Sequence, residues 1–143
     1  MKRMIFAGFI MLVLALMVSV SYAEMKKIPL SKDNLADLKG KWTGSRNVPG
    51  RMGLDTDLEI SSDSLPIDGK LTFYRVRKKG RGASNEETQI HNIKAKINDQ
   101  GNLYFKGSNS EMELSLYDDD GKMKLEGKFY WSGANGEMWL KKK

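Results

Sequence analysis

The sequence predicts an all-β protein, an eight-stranded up-and-down antiparallel β-barrel that follows a short N-terminal helical turn. Three observations predict it. Apolar residues alternate with charged ones along short stretches spaced roughly ten residues apart. Asp, Asn, Ser and Gly cluster between those stretches as hairpin-type turns. Eight is also the strand count at which such a sheet closes around side chains or one small ligand.

The barrel begins at Leu38-Lys39-Gly40-Lys41-Trp42-Thr43-Gly44. Leu38, Gly40, Trp42 and Gly44 share one face, the period of two of a half-buried strand. A bulky aromatic between two glycines suits a wall that curves around one large side chain. Before it, residues 24–30 read as a polar lead-in. Ser31 to Asp37 reads as one helical turn, with Ser31 as its cap and Leu35 and Leu38 turned inward.

The next strand runs from about Met52 to Ile60, where Leu54, Thr56, Leu58 and Ile60 alternate with Asp55, Asp57 and Glu59. Ile67, Leu71 and Phe73 mark the following one, with a bend or bulge expected at Gly69. Arg77 to Glu87 is the longest polar connection. His91, Ile93, Ala95 and Ile97 share a face of the strand after it. Leu103 and Phe105 mark a short strand, and Met112, Leu114 and Leu116 mark another. Asp118-Asp119-Asp120-Gly121 is a tight turn. Met123 to Trp131 and Glu137 to Lys141 complete the sheet.

The chain has 143 residues, which suits one barrel domain. Lys2 and Arg3, the apolar run Met4 to Val20 and the small-x-small site Ser21-Tyr22-Ala23 form an export signal. The expected organisation is therefore 1–23 signal peptide, 24–37 lead-in and helical turn, and 38–143 barrel. This places the mature protein outside the cell or in a periplasm, with no membrane span after cleavage. The net charge of +6 falls by two when Lys2 and Arg3 leave with the signal. There are no cysteines, so the sheet and core hold the fold without disulfides. An outer-membrane barrel is excluded by its outward charges. Lys41, Asp57, Glu59, Lys94 and Lys128 would face lipid, at about 2–4 kcal/mol for each mid-membrane cation.

Two groups of residues are candidates for binding. Arg75, Arg77, Lys78, Lys79 and Arg81 form a basic strand end and loop that suits an anionic group, an anionic surface or a glycan. No aromatic interleaves them, so nucleic acid is not an expected partner. Trp42, Phe73, Phe105, Phe129 and Trp131 share the inward parities of their strands. They either fill the core or line a site for a small apolar ligand. Tyr74, Tyr104, Tyr130 and Trp139 fall on the outward parity.

Catalysis and cofactors find little support. His91 is the single histidine, no Gly-x-Ser-x-Gly elbow is present, and no metal or other cofactor is expected.

Gly40-x-Trp42 on a first strand, after a short helical turn, resembles the start of calycin-type barrels such as lipocalins and avidins. The resemblance implies that Trp42 closes one barrel end and packs on a basic side chain of the last strand, Lys141 or a neighbour. The second lipocalin motif, a last-strand arginine and the biotin-contact pattern are absent. The expected function is an exported, non-enzymatic binding module. It would take a small apolar or amphipathic ligand, whose anionic group meets the basic loop. The alternative is an envelope or secreted interaction protein with a filled core, acting through that loop or the outward aromatics.

Overall fold

A computed structural model describes residues 25–75 and 88–143. The expected export signal lies outside them. The described chain forms nine strands: β1 (Lys26–Ile28), β2 (Gly40–Val48), β3 (Arg51–Ile60), β4 (Ile67–Tyr74), β5 (Thr88–Ile97), β6 (Leu103–Lys106), β7 (Ser110–Asp119), β8 (Lys122–Trp131) and β9 (Ala134–Lys142). From β2 to β9 each strand pairs antiparallel with the next, and β9 pairs back onto β2. That ring is a closed eight-stranded barrel, as the alternation predicts.

The pleat decides what lies inside. In β3, Leu54, Thr56, Leu58 and Ile60 are buried, while the acidic residues between them face out. The same rule puts Leu71 and Phe73 of β4, Leu114 and Leu116 of β7, and Met138 and Leu140 of β9 in one core. The Asp118–Gly121 segment is the expected hairpin turn. Asp120 and Gly121 both take positive φ, and the Gly121 N–H donates to Asp118 Oδ1 at 2.7 Å.

β1 is the departure from expectation, because its sequence reads as a polar lead-in. β6 is so short that it covers β7 only from Glu111 to Leu114. β1 takes up the flank beyond it, pairing Ile28 with Leu116 and Lys26 with Asp118. The Leu30 N–H donates to Gly101 O at 2.9 Å and ties the two segments together. The helical turn is also smaller than expected, a 3-10 turn at Leu35–Asp37. Asn34, not Ser31, is its N-cap residue, and Ser31 Oγ instead accepts from the Asp33 N–H at 3.3 Å.

This turn closes the lower end of the barrel. Leu30, Leu35 and Leu38 are buried around Trp42, which is 1% exposed. The indole Nε1–H donates to Leu38 O at 2.8 Å, so the buried polar atom is satisfied. Lys142, the neighbour of Lys141, is the basic residue at Trp42. Its Nζ lies 5.7 Å from the indole centroid and donates to Asp37 O at 2.6 Å. Lys141 has the opposite parity and is exposed.

Glycines shape the wall where strands approach closely. A Cβ on Gly44 would sit 1.8 Å from Trp139 O, and one on Gly127 would sit 1.9 Å from Glu113 O. The bulge expected at Gly69 is absent. Register runs unbroken there, and the irregularity falls between Arg46 and Val48 of β2.

Candidate binding site at the upper end of the barrel

The upper end holds Val48, Tyr74, Thr88, Phe105 and Trp131, opposite the Trp42 closure. Inward parity brings five strands together there. β2 supplies Arg46, β4 Phe73, β5 His91, β6 Phe105, and β8 both Phe129 and Trp131. Trp131 is the hub. Its ring lies 5.3 Å from Phe73, edge-on, 5.7 Å from Phe105, stacked, and 4.7 Å from His91. Phe73 also meets Phe129 at 5.9 Å and His91 at 5.6 Å. These spacings are those of attractive ring pairs.

The wall itself explains why side chains gather here. β5 pairs with β6 only at Lys96–Tyr104 and Ile97–Leu103. Above that point, β5 has β4 on one side and no strand partner on the other among the described residues. Phe105, His91 and Trp131 stand at this slot. All three are half-buried, whereas Phe73 and Phe129 are buried.

Two polar groups sit among the rings. Arg46 is 6% exposed, with its guanidinium 4.5 Å from the Phe73 centroid. Its Nη1 donates to Asp55 O at 2.8 Å and to Thr56 Oγ1 at 3.1 Å, and its Nη2 donates to Tyr74 O at 3.0 Å. These bonds tie β2 to β3 and β4. Burial lowers its pKa to about 10, against the opposing pull of Asp55, so it stays charged at neutral pH. The second polar group is His91 Nε2, which is shielded from solvent and has no hydrogen-bond partner among the described residues. Burial lowers the His91 pKa below its usual 6.5, which favours the neutral imidazole.

The structure brings together Phe73, Phe105, Phe129 and Trp131 of the aromatic residues singled out in the sequence. It places Trp42 at the opposite end, as the closure. Arg75 is exposed just beyond β4. Arg77, Lys78, Lys79 and Arg81 lie outside the described residues. Sequence reasoning missed Arg46, although parity carries the signal: it is the next inward position after Trp42 and Gly44.

The outer wall is of another kind. Tyr74 and Tyr104 bond to neighbouring carboxylates, Asp57 Oδ2 at 3.0 Å and Glu111 Oε1 at 2.7 Å. A groove of about 430 Å³ runs over Glu59, Asp68, Lys70 and Lys94, and one of about 210 Å³ over Lys41, Asp57 and Lys143. Both carry mixed charge. Compared with known proteins, this chain matches no family model, no curated protein and no solved structure.

Proposed function

We propose that this protein is an exported, non-enzymatic binding module of calycin-like type, which takes a small apolar or amphipathic ligand at the upper end of its barrel. One observation carries the reading: Phe73, Phe105, Phe129 and Trp131 converge with Arg46 and His91 where β5 and β6 part. An apolar lining with a few convergent polar groups is the usual make-up of a small-molecule site. The lower barrel contributes closure, since Trp42, Leu58, Leu71, Leu114 and Leu125 are fully buried there or in the middle. The ligand is accordingly short or flat, held across the mouth instead of along the barrel axis. The basic residues Arg77, Lys78, Lys79 and Arg81 lie outside the described residues and follow β4 in the sequence, which supports an anionic group on the ligand.

The test is titration with a neutral apolar fluorophore, N-phenyl-1-naphthylamine. Saturable enhancement that is lost in Trp131→Ala and kept in Lys142→Met supports the reading. Absence of saturable binding, or loss in neither variant, rejects it.

The packed lower barrel favours a second reading, a filled-core interaction protein acting through the basic loop. Its signature is a protein or glycan partner whose capture disappears when Arg77, Lys78, Lys79 and Arg81 are changed together to Ser. The aromatic variant Trp131→Ala would leave that capture intact.

A further inference from the structure

Arg46 is a buried cation with no ion-pair partner among the described residues, and the Asp55 charge acts on it without contact. Among the described residues its hydrogen bonds go to two main-chain carbonyls and a hydroxyl, and no carboxylate oxygen pairs with it. Asp55 acts on it from the outward parity and lends its carbonyl, not its carboxylate, to the guanidinium. A buried charge is costly unless it is paired. A guanidinium carries five N–H donors in a planar fork suited to a carboxylate. His91 Nε2 has no partner in the same cluster. The Phe73 ring links the two, with the guanidinium 4.5 Å and the imidazole 5.6 Å from its centroid.

We infer that Arg46 and His91 form a polar pair that selects a monocarboxylate, with the acid group seated beside Phe73 and the apolar part against Phe105 and Trp131. This rests on the binding reading above and names the ligand class for that site. The carboxylate supplies the contacting counter-charge that Arg46 lacks among the described residues. In its Nε2–H tautomer, His91 donates to the second carboxylate oxygen. An alcohol leaves the cation unpaired, and an ammonium meets like charge. Discrimination therefore comes from the interior of the barrel.

Calorimetric titration of the purified protein with octanoate, 1-octanol and octylammonium tests this. The expected order is octanoate at least tenfold tighter than 1-octanol, with octylammonium weakest. Arg46→Gln and His91→Phe should each bring the octanoate-to-1-octanol affinity ratio down towards one. Arg46 ties three strands together, so a measurement on the unaltered protein stands beside the variants. The carboxyl resonance of [1-13C]octanoate should titrate at lower pH bound than free. Equal affinity for acid and alcohol, or an unshifted carboxyl titration, overturns the inference while leaving the binding reading in place. Failure of all three probes to bind rejects both.

Discussion

The Arg46 guanidinium lies over the Phe73 ring at 4.5 Å, and the same group hydrogen-bonds to main-chain carbonyls on β3 and β4. One side chain of β2 thus clasps three strands at the upper end. Replacing it with Met leaves two carbonyls and the Thr56 hydroxyl without this partner. Each buried group so orphaned costs about 1–3 kcal/mol. Arg46→Met should therefore lose roughly 3 kcal/mol of stability. A lower urea midpoint with an unchanged slope would show it.

Trp42 predicts a separation of stability from binding. It fills the lower end and donates to Leu38 O. Trp42→Ala should cost about 3–5 kcal/mol, the range for deleting a buried aromatic. Trp42→Phe should cost less and leave fluorophore binding at the upper end unchanged. Equilibrium denaturation and titration of the same samples check both halves.

Gly127 lies on the inward parity of β8, paired beside Leu114 of β7. A Cβ there would sit 1.9 Å from Glu113 O, so the strands must move apart to admit it. Gly127→Ala should destabilise by about 1–3 kcal/mol or more, as overpacking does. Gly50→Ala meets nothing within 4 Å, but its φ of +82° makes it strained for a different reason. Thermal melts of the two variants, with amide exchange of β7 and β8, separate the mechanisms. Gly127→Ala should speed exchange in those strands, whereas Gly50→Ala should not.

Glu113 carries a pH dependence. Its Oε1 accepts from Asn102 Nδ2 at 2.9 Å and from Asn98 Nδ2 at 2.7 Å, and these bonds hold its pKa below the ordinary 4.5. A carboxylate with a depressed folded pKa contributes stability that is present above the unfolded value and is lost as pH falls through the folded one. Stability should thus decline as pH falls below about 4.5. The gap between the protein and Glu113→Gln should close over the same window, since a protonated Glu resembles Gln. Urea midpoints measured between neutral and acid pH check this.

The barrel was legible because its strands alternate so cleanly. Leu54 to Ile60 and Met112 to Leu116 each declare an inner face, and the Asp120-Gly121 turn declares a hairpin. β1 was not legible. Lys26-Lys27-Ile28 has no pattern of its own and becomes a strand only because β6 stops short and leaves part of β7 uncovered. Gly69 misled for a related reason. A glycine on an inward position can serve a bulge or merely a close neighbour, and here the neighbour is the Ile93 side chain.

The site was half legible. Parity alone places Phe73, Phe129 and Trp131 inside. It does not say that Trp42 lies at the other end, because height along the barrel depends on register between strands. Arg46 was hidden by its charge: an arginine two steps beyond Gly44 reads as the strand leaving the core. Only the carbonyls of Asp55 and Tyr74, brought in by β3 and β4, make that inward position tenable.

The central claim is that ligands bind at the upper end of the barrel. The chain has three tryptophans, Trp42, Trp131 and Trp139, so three indole N–H signals report on the lower closure, the upper cluster and the outer wall. The most direct measurement is a 1H–15N correlation spectrum recorded as N-phenyl-1-naphthylamine is added. Saturable shifts of the Trp131 indole and the His91 amide, with the Trp42 and Trp139 indoles unmoved, are the predicted result. Shifts confined to Trp139 and the outer wall, or no saturable shift at all, would contradict it.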